Sequence, residues 1–149
     1  VELPSEYTAR VASPLDTMIT DETGTARTVY RLGPQALWTP ALHIPYEAIT
    51  ENDHAWIAAE WYVRVPSSST QLNCVHSFEH EEKSYGYEGF EIKELDVEAG
   101  RWDTVRTLYL TPEVRTKKDL LRMYFWLRDT SNVLVDGPVV KVYERIAAH

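Results

Sequence analysis

Twelve residues constrain this chain more than any others: His54–Val65, HAWIAAEWYVRV. Ala55, Ile57, Ala59, Trp61, Val63 and Val65 fall on one side of a period of two, and His54, Trp56, Ala58, Glu60, Tyr62 and Arg64 fall on the other. Successive side chains of a strand point to opposite faces, so this pattern predicts a long strand with one buried face, of the antiparallel kind. Pro66 and the serines after it end the strand. An all-β chain must bury such faces in pairs, which leads to a sandwich or a barrel.

Other segments repeat the period. Strands are expected over 7–12, 25–31, 72–78, 85–92, 102–110, 120–127 and 133–143, with turns at DETG, EHEEKS and EAG. No amphipathic helix intervenes convincingly. The stretch TPEVRTKKDL has Thr111 before Pro112, which suits either a helix start or an extended loop, and 34–53, with Pro34, Pro40 and Pro45, reads as a long irregular connection. The residues after Tyr143 read as a tail. At 149 residues the chain is expected to form one domain with an ordinary core, Ile57, Trp61, Val63, Met123, Phe125, Val133 and Val135 among its buried residues.

Composition excludes several functions. With 23 acidic against 15 basic side chains and a formal charge of −8, the chain opposes nucleic acid and anionic membrane surfaces, and only RTKKD with Arg106, Arg122 and Arg128 supplies local basicity. No apolar run approaches the roughly 20 residues of a membrane span, so insertion of this domain is not expected. The chain opens on Val1, which suggests a processed or excised piece. Cys74 is the only cysteine, so no internal disulfide forms, and it is expected as a small core residue.

The order of the last sixty residues carries a resemblance. YGYEGFEI, then GRWDTVRTLYLTPEVRTKKDLLRMYFWL, then NVLVDGPVVKVYE resembles the galactose-binding-domain-like jelly roll, a carbohydrate-binding-module-like β-sandwich of secreted and surface proteins of Bacteroidetes-type bacteria. The likeness covers roughly 54–144 and departs at Gly137-Pro138 and at Leu127. It implies a non-catalytic carbohydrate-binding accessory module, located outside the cytoplasm, within a larger protein whose neighbouring domains are partners along with a glycan or cell-surface polysaccharide. The alternative is a structural or protein-interaction sandwich without a glycan. The resemblance also implies that an acidic residue in the last strand helps hold calcium with the N-terminal segment, here Asp136 with Glu2, Glu6 or Asp16.

From the residues themselves, Asp136 also reads as a carboxylate capping backbone amides where the strand breaks at Gly137-Pro138, or as the partner of an arginine. No cofactor is expected, and no metal site is assigned. His76–His80, HSFEH, has the His-x-x-Glu-His spacing of one zinc-peptidase group, but that chemistry needs a helix, and exposed histidines around a turn are expected. Glu79, Glu81 and Glu82 read as a solvated turn. No phosphate loop, nucleophile elbow or Ser/His/Asp arrangement is visible, so no enzyme is expected.

The candidate ligand surface is aromatic. Trp56, Glu60, Tyr62 and Arg64 form one outward row, and Arg122, Tyr124, Trp126 and Arg128 form another; Tyr85 and Tyr87 extend it. If the rows share a sheet, they offer rings for the apolar patch of a pyranose and charged groups for its hydroxyls.

Overall fold

The computed structural model describes residues 7–11, 20–21 and 29–145. The described residues form ten strands: β1 (Tyr7–Val11), β2 (Thr20–Asp21), β3 (Tyr30–Leu32), β4 (Leu42–Pro45), β5 (Trp56–Arg64), β6 (Leu72–His80), β7 (Lys83–Glu91), β8 (Trp102–Leu110), β9 (Leu120–Leu127) and β10 (Val133–Arg145). A four-residue helix, α1 (Tyr46–Ile49), follows β4, and a 3-10 turn, Ile92–Glu94, follows β7. Among these residues no helix is long and apolar enough to cross a membrane.

Every pairing is antiparallel, and the strands form two sheets. The first runs β1-β10-β5-β8 with β3 beside β10, and the second runs β2-β4-β9-β6-β7. Setting aside the short β2 and β3, the outermost strands of the chain pair (β1 with β10), then β4 with β9, β5 with β8 and β6 with β7. That nesting is one long hairpin wrapped into two sheets, which defines a jelly roll.

The alternation of β5 sets the core. Ile57, Ala59, Trp61 and Val63 are buried, facing Leu121, Met123, Phe125 and Leu127 of β9. Trp61 is 2% exposed, its ring edge-on to Phe125 at 5.2 Å and stacked on His76 at 5.6 Å. Cys74 is buried, and burial raises its thiol pKa.

Three expectations are corrected here. The 34–53 stretch is not an irregular connection, because it carries β4 and α1; Pro45 is the last residue of its strand, where a missing N–H costs little. The chain past Tyr143 continues the strand to Arg145. The HSFEH histidines are not exposed around a turn. His76 is fully buried in the middle of β6, and His80 is half-buried at its end. The 111–119 segment forms a loop, and the expected strand over 25–31 is described only from Val29 onward.

Asp136 is the outward residue just before a register shift. Val133 and Val135 are buried, then Val140 and Val142, so the parity of β10 inverts between them. The ladder shows why: Asp136 pairs with Tyr62 and Val139 with Glu60, one residue more on β10 than on β5. Gly137 sits in this bulge at φ 122°, and a Cβ there would lie 3.1 Å from Trp61 Cδ1 and 3.2 Å from Glu60 O. Asp136 itself is exposed, and among the described residues it caps no backbone amide and pairs with no arginine. The proposed calcium partners Glu2, Glu6 and Asp16 lie outside the described residues. An exposed surface carboxylate contributes little, so Asp136→Asn is expected to change stability by less than about 0.5 kcal/mol. Thermal melts in excess calcium and in chelator are expected to coincide; a calcium-dependent melt lost in the variant would contradict this.

Candidate functional site

The two predicted rows lie on opposite sides of the molecule. Trp56, Glu60, Tyr62 and Arg64 project from β5 on the outer face of the first sheet, whereas Arg122, Tyr124 and Trp126 project from β9 on the outer face of the second. The single surface expected from them therefore does not form. Alternation assigns a residue to a face, but the wrap of the jelly roll assigns its strand to a sheet, and β5 and β9 fall in different sheets. On the first sheet Glu60 Oε2 accepts a hydrogen bond from Arg106 Nε at 3.0 Å, Tyr62 is exposed and Trp56 is half-buried beside Tyr143.

The outer face of the second sheet gathers a different set. Trp38 bridges to Trp126 across a short extension of the sheet, so both rings stand on this face, near-parallel at 12° with centroids 6.2 Å apart. Backbone bonds from Thr39 to Phe125 and from Leu127 to Leu37 hold that extension. Trp38 is 56% exposed. The Arg128 guanidinium lies over the Trp126 ring at 5.2 Å and that of Arg122 over Tyr124 at 5.7 Å. Burial raises the Tyr124 phenol, with Tyr87 adding to the shift and Arg122 opposing it.

Tyr87 joins this face and Tyr85 does not, although their spacing predicts one face for both. The β6–β7 register shifts between His76 and Phe78, with Gly86 at φ +62° in the shift, so Tyr85 pairs with Phe78 on the inner side. Tyr87 remains exposed and lies across Gly89, where a Cβ would meet its hydroxyl at 3.4 Å. Asn73, Val75 and Ser77 of β6 form the buried floor beneath these side chains. Polar groups border it. Asn73 pairs with Trp126 and Glu91; Glu91 lies 3.9 Å from Arg128 and 3.8 Å from Lys93; Glu79 lies 3.7 Å from Arg122. Gln71, Asn73, Glu91, Lys93 and Arg128 line a shallow depression beside the tryptophans.

Sequence reasoning missed Trp38, Asn73 and Glu91. Trp38 lies in a proline-flanked stretch without a period, and its position depends on a bridge to β9, 88 residues further on.

At the far end of the same sheet, buried Asp119 ties the 111–119 loop to the β6–β7 hairpin. It accepts hydrogen bonds from Tyr85 Oη, from His80 Nδ1 at 2.7 Å and from Thr116 Oγ1 at 3.0 Å. Burial pushes its carboxyl up, but the bonds from Tyr85, His80 and Thr116 outweigh this and hold it well below the usual carboxylate range. Burial, and then the bond to Asp119, pushes the Tyr85 phenol up to about 12. This cluster serves structure: its acceptors are filled by the chain itself. Among the described residues no group of three metal-ligating side chains converges.

No family model and no curated protein sequence matches the chain. Solved structures do resemble it. One is a non-crystalline-cellulose-specific carbohydrate-binding module, CBM28, at 13% identity over 82% of this chain and 78% of that one, with a TM-score of 0.46. A family 16 carbohydrate-binding module is similar at 7% identity over 75% and 74%, TM-score 0.45. The CBM22-2 xylan-binding domain of Paenibacillus barcinonensis Xyn10C is similar at 10% identity over 92% and 91%, TM-score 0.41. These likenesses concern architecture alone.

Proposed function

We propose that this chain is a non-catalytic carbohydrate-binding module, one domain of a larger secreted or surface protein, which holds a neutral glycan along the outer face of its second sheet. The observation that carries the reading is the near-parallel Trp38–Trp126 pair, Trp38 exposed and Trp126 half-buried, bordered by Tyr87, Arg128, Asn73 and Glu91. A pyranose presents an apolar C–H face and a rim of hydroxyls; rings take the first and amide, guanidinium and carboxylate groups take the second. The arginines here are matched by Glu79 and Glu91, so the face carries little net charge and favours a neutral sugar. Hydrolysis needs two carboxylates flanking the scissile bond, one of them a free acid. On this face both carboxylates already stand beside arginines, which suits binding without cleavage.

A glycan array probed with the whole chain tests the reading. Retention of neutral polysaccharides is expected, and a chain that retains none would contradict it. A second reading, docking against a neighbouring domain, is favoured by Leu110 and Val139, exposed on the outer face of the first sheet. The two readings use opposite faces and are compatible in one protein.

A further inference from the structure

A cleft opens at one end of the first sheet, away from the aromatic face, and is lined by Arg31, Arg64, Pro66, Gly100, Asn132 and Leu134. The register arranges its floor. Arg31 of β3 and Arg64 of β5 both pair with Leu134 of β10, and Arg64 pairs in turn with Trp102 of β8. Side chains at paired positions share a face, so Arg31, Leu134, Arg64 and Trp102 form one outward row across four strands. With strands about 4.8 Å apart, the two arginines rise from positions roughly 10 Å apart, with a leucine between them.

Neither arginine has an acidic partner among the described residues. Arg101, Arg106, Arg122, Arg128 and Lys93, by contrast, each stand 3.0–3.9 Å from a carboxylate. The nearest acid along the same face of β10 is Asp136, two residues beyond Leu134, and it pairs with neither. In a chain of formal charge −8, two guanidinia that line one concavity with no acidic partner among the described residues make a local site for an anion. Guanidinium forks match a carboxylate in plane, and the adjacent Trp102, 40% exposed, offers a ring face.

We propose that this cleft binds a carboxylate-bearing sugar, a uronate residue of an acidic glycan, with its carboxylate on Arg31 and Arg64 and its ring against Trp102. The site is separate from the neutral-glycan face and does not depend on it. Asn132, at the same opening, supplies an amide for a hydroxyl.

Isothermal titration with an oligogalacturonate as probe tests this. Saturable binding is expected that weakens as salt rises. Arg31→Gln and Arg64→Gln are each expected to weaken it at least tenfold, while Lys118→Gln, an exposed charge elsewhere, leaves it unchanged. Both arginines are exposed, so the variants are expected to fold, and unchanged melting temperatures verify this. No saturable binding, equal loss in Lys118→Gln, indifference to both arginine substitutions, or loss in Trp126→Ala would each overturn the proposal. The first three outcomes leave neutral-glycan binding untouched, and loss in Trp126→Ala would move the acidic glycan onto that face.

Discussion

Trp126→Ala is expected to weaken binding of a neutral glycan by at least tenfold, and Trp38→Ala together with Trp126→Ala is expected to abolish it. Trp126 stands at the centre of the face: Trp38 stacks on one side, Arg128 lies over its ring and Asn73 is its cross-strand neighbour. Removing it takes away a stacking surface and frees Arg128 and Trp38 from the geometry it imposes. Central aromatics of this kind dominate interfaces, and a tenfold loss corresponds to about 1.4 kcal/mol. Tyr62→Ala, on the opposite sheet, is expected to leave the affinity within about twofold. Titration calorimetry of the unsubstituted chain and the three variants with a glycan found on the array checks this. Equal loss in Tyr62→Ala and Trp126→Ala would place the ligand elsewhere.

The second large effect concerns stability, and it arises from His76. Its ring is fully buried between Trp61 and Tyr109, with Phe90 at its edge. Nδ1 lies 3.1 Å from Val75 O, a carbonyl that only accepts, so Nδ1 carries the proton; Nε2 then accepts from Thr107 Oγ1 at 2.8 Å. That arrangement holds a neutral imidazole. Burial lowers its pKa from 6.5 to about 4, with the bond to Val75 opposing. The unfolded chain therefore binds a proton between pH 6.5 and 4 that the folded chain does not. Stability is highest above pH 6.5, falls through that window and loses no more from this group below about pH 4. The loss is on the order of 3 kcal/mol, or roughly 6–12 °C in melting temperature for a chain this size.

His76→Gln removes the titrating group at some cost in packing. The expected signature is the difference in unfolding free energy between pH 7 and pH 4, which should be smaller in the variant by about 3 kcal/mol. Asp103, Asp119 and Asp129, whose carboxyls are held below their ordinary range, contribute a loss only at lower pH. Equal pH dependence in the two proteins would show that His76 takes up its proton in the fold as readily as in the unfolded chain.

Much of the architecture is legible in the sequence because it depends on local alternation. The phase of β5, the limits of β8 and β9, and the burial of Trp61, Phe125 and Val135 follow from the period of two and its interruptions. The break at Gly137-Pro138 is visible too, although its consequence is a parity change and not a role for Asp136. What stays hidden depends on distant partners. His76 resembles a turn residue until Thr107, 31 positions away, and Trp61 close over it. Tyr85 and Tyr87 separate only because a bulge intervenes. One predicted row, Arg122, Tyr124, Trp126 and Arg128, lies on the face that Trp38 completes, and the row on β5 lies on the opposite sheet, because alternation does not reveal the sheet.

The central claim is that a neutral glycan lies on the second sheet over Trp38 and Trp126, and the chain's five tryptophans allow it to be tested in one titration. Trp38 and Trp126 mark that face, Trp61 the core, and Trp56 and Trp102 the first sheet. Each indole N–H gives one signal in a nitrogen–proton correlation spectrum. On adding the glycan, the Trp38 and Trp126 signals are expected to move together with one dissociation constant, while those of Trp56, Trp61 and Trp102 stay in place. Movement of Trp56 or Trp102 with Trp38 and Trp126 unmoved would contradict the account.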